Sequence, residues 1–225
     1  MVSLSLGSNL GNRAQYLQHA LFLLHHEVGE VVKVSPLYES PAWGFSSEPF
    51  YNICVELHTD LPLEVLLPKL HAIEARLGRV RSTQPSAGYK ARTLDIDILY
   101  YGDKVVQTDT LCVPHPQLAL RRFVLQPLAD IAPDFVDPVK GKTITQLLEA
   151  CPDTASLTLV KQDFALPVKK ATIPYRYITI EGNIGAGKTS LATRLAEDLS
   201  GQLLLEEFAT NPFLEDFYKQ PQRYA

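Results

Sequence analysis

The sequence predicts an α+β fold, and three observations carry that expectation. Strand-like and helix-like segments over residues 2–101 follow the order β-α-β-β-α-β. Both helical segments are amphipathic and each is closed by a glycine, Gly29 and Gly78. Hydrophobic residues make up 46% of the chain and charged residues 20%, which supplies one full core with chain to spare.

Val2, Leu4 and Leu6 alternate with smaller or polar neighbours and run into Gly7-Ser8-Asn9, which reads as a half-buried strand ending in a turn. Asn12 is placed to cap a helix in which Leu17, Leu21, Leu24 and Val28 recur at helical spacing. Residues 31–38 and 51–58 are rich in β-branched and aromatic side chains and read as two strands. The Pro- and Gly-containing stretch between them is longer than a tight hairpin needs, which marks a functional loop. Leu63, Leu66, Leu67, Leu70, Ile73 and Leu77 form the second helix, and residues 94–101 the last strand. Two helices able to cover one face of an antiparallel sheet in this order make the ferredoxin-like arrangement. Residues 113–133 and a short helix over 145–150 read as a C-terminal extension of the same domain. Domains are therefore expected at 1–160 and 175–225, with 161–174 as the linker.

The net charge of -4 gives no footprint for nucleic acid or an anionic membrane, and neither is expected as a partner. Three widely spaced cysteines form neither a disulfide framework nor a zinc pattern. With no signal segment and no long apolar run, a cytoplasmic location is expected.

The densest chemistry lies in Ala91-Arg92-Thr93-Leu94-Asp95-Ile96-Asp97-Ile98-Leu99. Asp95 and Asp97 stand two apart on a strand, so both carboxylates leave one face while Leu94, Ile96 and Ile98 take the other. Like charges so placed repel unless a cation lies between them, and magnesium is commonly held by one or two carboxylates while it bridges substrate phosphates. Arg92, Arg79, Arg81, His115 and Arg121 flank the pair in sequence and are able to grip phosphate oxygens. An isolated pair of this kind is more often a solvated strand face; the surrounding cations favour a metal site.

With these residues in view, the chain resembles the 6-hydroxymethyl-7,8-dihydropterin pyrophosphokinases over about its first 160 residues. The resemblance is carried by Leu6-Gly7-Ser8-Asn9-Leu10-Gly11, Ser35-Pro36-Leu37-Tyr38, Tyr51-Asn52, Ile73-Glu74, Gly78-Arg79-Val80-Arg81, Arg92-Thr93-Leu94-Asp95-Ile96-Asp97-Ile98, Pro114-His115-Pro116 and Ile131-Ala132-Pro133. It implies transfer of the terminal pyrophosphoryl group of ATP to the pterin hydroxymethyl with release of AMP, a step of folate synthesis. It also implies two magnesium ions on Asp95 and Asp97, with Arg79 and Arg92 stabilising charge on the transferred group. Arg81, Glu74, His115 and Arg121 would bind ATP. Asn52 would bond the pterin edge, with Phe123 stacking on one face and Trp43 or its loop covering the other.

A second pattern, Gly182-Asn183-Ile184-Gly185-Ala186-Gly187-Lys188-Thr189, fits a phosphate-binding loop between an expected strand at 177–181 and a helix bearing Leu191, Leu195 and Leu199. Gly182, Gly185 and Gly187 would let backbone N–H groups cradle phosphates, Lys188 would reach the outer ones and Thr189 would face magnesium. With Leu205-Glu206-Glu207-Phe208 the segment resembles the start of a deoxynucleoside kinase, which implies Glu206 as its general base. About two strands follow residue 172, fewer than the several-stranded parallel sheet of that fold. The expectation is an incomplete α/β segment of a two-enzyme fusion, able to self-associate. The competing readings are a nucleoside kinase in a longer fusion and a non-catalytic nucleotide-binding module.

Overall fold

The computed structural model describes residues 1–80, 90–164, 178–183, 185–199 and 201–205. Strand β1 (Val2–Ser8) lies within its main sheet, with antiparallel partners β4 (Phe50–His58) and β5 (Asp95–Tyr101) on either side. β2 (Glu30–Val34) and β3 (Leu37–Ser40) follow one another along the other edge of β4, and β8 (Thr158–Val160) pairs with β3. Helices α1 (Arg13–Glu27) and α2 (Leu63–Arg76) bury Leu17, Leu21, Leu24, Leu66, Leu70 and Ile73 against Val2, Leu4 and Leu6. The order and antiparallel pairing are those of the ferredoxin-like arrangement.

Local chemistry explains the helix ends. The Asn12 side chain accepts from the Gln15 N–H at 3.2 Å, satisfying one of the donors that a helix start leaves open. At the far end Val28 and Gly29 both donate to the Leu24 carbonyl, and a Cβ on Gly29 would stand 2.2 Å from the His58 carbonyl oxygen. The turn packs on the end of β4 with no room for a side chain. α2 stops at Gly78, whose φ of 87° lies in the left-handed region that glycine enters without penalty.

Several elements depart from the sequence expectation. β1 is buried on both faces rather than half-buried, because α3 (Arg122–Ile131) packs a second core on the opposite side of the sheet. Cys54, Leu99, Tyr100, Val124, Leu125 and Leu128 form that core, and Ser3 and Ser5 are buried with it. The strand expected at 31–38 is broken into β2 and β3 at Ser35-Pro36, since Pro36 has no N–H to give a ladder. Ser35 spans the break. Its N–H donates to the Cys54 carbonyl and its Oγ accepts from the Cys54 N–H, both at 2.9 Å. A shift in the β1–β5 register puts Leu99 and Tyr100 together in the second core, and Tyr100 donates to Asp137 at 2.8 Å. β6 (Val106–Gln107), β7 (Cys112–Val113) and α4 (Ile144–Glu149), the last capped by Thr143, complete this part.

The chain divides into compact units Met1–Lys169 and Lys170–Ala225. In the second unit α5 (Lys188–Leu199) forms as expected. Of the strand expected at 177–181, residue 177 lies outside the described residues and residues 178–181 are irregular; among the described residues of this unit no strand takes their backbone hydrogen bonds. No helix among the described residues is long and apolar enough to cross a membrane.

Candidate active site

The floor of the site comes from strand register. Gly7 is paired with Asn52 on one side and Asp95 on the other, and Ser5 with Cys54 and Asp97. Asn52, Asp95 and Asp97 therefore leave the sheet face that lies opposite α1 and α2. A cleft of about 370 Å³ opens there, walled by Trp43, Phe45 and Phe50, by Arg79 and Arg92, and by His115, Gln117, Arg121 and Phe123.

Arginines face both carboxylates. Arg79 is bonded to Asp95, Arg92 Nη2 stands 3.2 Å from Asp95 Oδ2, and Arg121 Nη1 lies 3.8 Å from Asp97 Oδ2. Burial opposes the charge on Arg79, but Asp95 and Glu74 outweigh it and hold the guanidinium protonated above its ordinary range. Asp97 goes the other way. Loss of water and then the charge of Asp95 push its carboxyl from 3.8 up to about 6, against the pull of Arg121, Arg92 and Arg79. Its side chain is still 38% exposed, twice the 19% of Asp95, so solvent screens part of this. Burial and the Arg121 charge lower His115 to about 4, with Asp95 opposing, and its Nδ1 accepts the Gln117 N–H at 3.2 Å as a neutral ring does.

Glu74 is fully buried on α2 and does not line the cleft. Its Oε1 accepts from Ile96 N–H at 2.8 Å and bonds Arg79, so it ties α2 to β5 and braces the arginine from behind. The expectation that it meets ATP directly is corrected here, because a carboxylate without solvent access has no surface to offer a ligand.

The other end of the cleft is aromatic. Asn52 Nδ2 donates to Ser40 Oγ at 2.9 Å. The Arg121 guanidinium carbon lies 4.9 Å from the Trp43 ring centre and 5.8 Å from that of Phe123, and Phe45 meets Phe50 edge-on at 6.2 Å. Asn9, at the end of β1, joins the two ends. It donates to Ser47 Oγ at 2.9 Å and Glu48 O at 3.1 Å, while its Oδ1 accepts from Arg92 N–H at 2.8 Å.

Of the residues singled out from sequence, Trp43, Asn52, Arg79, Arg92, Asp95, Asp97, His115, Arg121 and Phe123 share this cleft. Arg81 and Glu206 lie outside the described residues. In the second unit Lys188 Nζ folds back on its own loop, donating to the carbonyls of Gly182 and Asn183, the latter at 2.8 Å. Phe45, Phe50 and Gln117 were missed as wall residues. Phe50 was within reach of sequence reasoning, since alternation along β4 places it on the face of Asn52.

Two carboxylates and several cationic side chains stand on the open face of an α+β sheet, next to an aromatic slot, an arrangement with the chemistry to receive a polyanion beside a flat ring. The family model for 7,8-dihydro-6-hydroxymethylpterin-pyrophosphokinase matches residues 3–133, and the chain belongs to that family. A 2-amino-4-hydroxy-6-hydroxymethyldihydropteridine pyrophosphokinase of Synechocystis sp. is 44% identical over 151 residues, covering 67% of this chain and 75% of that protein. The Bacillus subtilis protein of the same name is 42% identical over 130 residues, covering 57% and 75%. The folic acid synthesis protein fol1 of Pneumocystis carinii is 40% identical over 153 residues, 68% of this chain and 20% of that longer one. A crystal structure of Plasmodium falciparum HPPK-DHPS shares the fold at a TM-score of 0.53 and 17% identity, covering 66% of this chain and 42% of that one. A deoxynucleoside kinase family model matches residues 178–225.

Proposed function

We propose that the cleft performs ATP-dependent pyrophosphoryl transfer to 6-hydroxymethyl-7,8-dihydropterin, giving the pterin diphosphate and AMP in folate synthesis. The observation that carries this reading is the convergence of Asp95, Asp97, Arg79, Arg92 and Arg121 with Asn52, Trp43 and Phe123 in one cleft. Charge and ring recognition meet where the two substrates must meet.

The donor set fits magnesium. Asp95 and Asp97 are joined by no third His, Cys, Asp or Glu in a metal-binding group among the described residues, so the remaining ligands would be water and phosphate oxygens, as magnesium prefers. When bound, two such ions would supply positive charge to offset that of the triphosphate. Asp95 and Asp97 would hold them. Arg79 and Arg92, now paired with Asp95, turn to the oxygens of the group in transit, and Arg121 and His115 hold the rest of the ATP. Asn52 takes the hydrogen-bonding edge of the pterin, while Phe123 and Trp43 offer faces for stacking and keep water from the reacting atoms. Positioning and charge carry the reaction without a covalent intermediate on the protein.

The test is AMP formation by the full chain, expected only with both the pterin and magnesium present, and lost in Asp95→Ala and Asp97→Ala. Near-normal turnover by either variant would remove the metal assignment.

For the second unit we propose a phosphate loop at Gly182, Gly185, Gly187, Lys188 and Thr189, with Glu206 as the base of a deoxynucleoside kinase in a fused protein. The match over residues 178–225 and the Lys188 ammonium held over its own loop support this. ATP binding by the 225-residue chain carrying Asp95→Ala and Asp97→Ala, and its loss when Lys188→Ala is added, would test it.

A further inference from the structure

Arg13, the first residue of α1, stands outside the cleft yet touches three parts of the frame that holds it. Its Nη1 donates to the Pro49 carbonyl at 2.8 Å and pairs with Glu39 Oε2 at 2.9 Å, and its guanidinium carbon lies 3.6 Å from the centre of the Tyr51 ring. Glu39 and Tyr51 are cross-strand partners in β3 and β4, flanked by the pairs Tyr38–Asn52 and Ser40–Phe50. Side chains alternate along a strand, so Tyr51 packs on the α1–α2 core while Ser40, Phe50 and Asn52 line the cleft. One guanidinium on the back of the sheet thus fixes the strand pair whose front meets the ring of the substrate. Through Pro49 it also fixes the exit of the 41–49 loop that carries Trp43 and Phe45.

We infer that Arg13 is a positioning residue for the pterin half of the site: it holds the Glu39–Tyr51 pair and the loop exit so that Asn52 and its neighbours meet the ring in register. The ATP half rests on Asp95 and Asp97 of β5 and on Arg79, Arg92 and Arg121, none of which Arg13 bonds; its one link to them is indirect, through the loop end that Asn9 ties to Arg92, so its effect falls mainly on the pterin half. A lone surface ion pair would be worth little. Here a charge-assisted carbonyl bond, an ion pair and a stacked ring converge on one planar group, a combination that lysine cannot reproduce.

This inference rests on the pterin assignment proposed above. The experiment compares the unsubstituted 225-residue chain with Arg13→Ala, Arg13→Lys and Glu39→Gln, reading kcat, the KM for each substrate and the melting temperature. Arg13→Ala is expected to raise the pterin KM about tenfold, with the KM for ATP and kcat changed less than about twofold. Arg13→Lys keeps the pair with Glu39 but not the flat stack and is expected to fall between, and Glu39→Gln shows the same selectivity at smaller size. Both milder variants carry the test if Arg13→Ala does not fold. An unchanged pterin KM, or a KM for ATP that rises in step with it, overturns the inference. A wild type that forms no AMP overturns the pterin assignment itself, and this inference with it.

Discussion

Replacing Asp97 with asparagine is expected to stabilise the metal-free protein at neutral pH while destroying its activity. Burial first and the neighbouring Asp95 charge second raise this carboxyl from 3.8 to about 6 in the folded protein. Between those values the folded state binds the proton more tightly than the unfolded chain, so the associated stability is complete below about pH 3.8 and lost as pH rises through about 6. A difference of about two pH units corresponds to roughly 3 kcal/mol. The side chain is 38% exposed, and screening by solvent reduces the cost of the charge at pH 7.5 to about 1 kcal/mol. Asparagine keeps the shape without that charge. Thermal melts in chelator at pH 7.5 are therefore expected to place Asp97→Asn about 2–4 °C above wild type, with the gap closing toward pH 4. Magnesium with a non-hydrolysable ATP analogue is expected to reverse the order by stabilising only the wild type. A variant that melts at or below wild type in chelator at pH 7.5, or a gap independent of pH, would refute the reasoning.

Arg92→Ala is expected to lower kcat by about 10²- to 10³-fold with little change in pterin dissociation constant, as rapid-quench kinetics and equilibrium titration would show. Gly29→Ala forces a methyl against the His58 carbonyl and is expected to cost about 2 kcal/mol, read as a lower denaturation midpoint with the active-site kinetics preserved below it. Cys54 is fully buried, and burial raises its thiol well above the ordinary range with Asp130 adding to the effect. A thiol reagent is expected to modify the partly exposed Cys112 and Cys151 in the native protein and Cys54 only after unfolding.

Period and punctuation made much of the fold readable. The leucines of α1 and α2 repeat on one face, and Asn12, Gly29 and Gly78 mark where those helices start or stop. The carboxylate pair was legible for the same reason, since a period of two sends Asp95 and Asp97 to one side of β5. α3 was less readable. Pro127 lies inside it, and a proline removes a helix hydrogen bond, so residues 113–133 read only as an extension of the domain, and packing on β4 supports the helix. The full burial of β1 follows from that same helix, which nothing within β1 announces. Glu74 shows a different limit. Its sequence position put it beside the arginines, but only the fold shows it turned inward to Ile96 and Arg79 rather than toward a ligand. The Asn9 bonds to residues 47, 48 and 92 are likewise long-range contacts with no local pattern.

The most direct test of the account follows the phosphorus atoms. With ATP labelled at the β-position, magnesium and 6-hydroxymethyl-7,8-dihydropterin, the full chain is expected to move the label onto the pterin and to release unlabelled AMP in equal amount. Label that stays with the nucleotide as ADP, beside a pterin monophosphate, would mean transfer of a single phosphoryl group and would contradict the account.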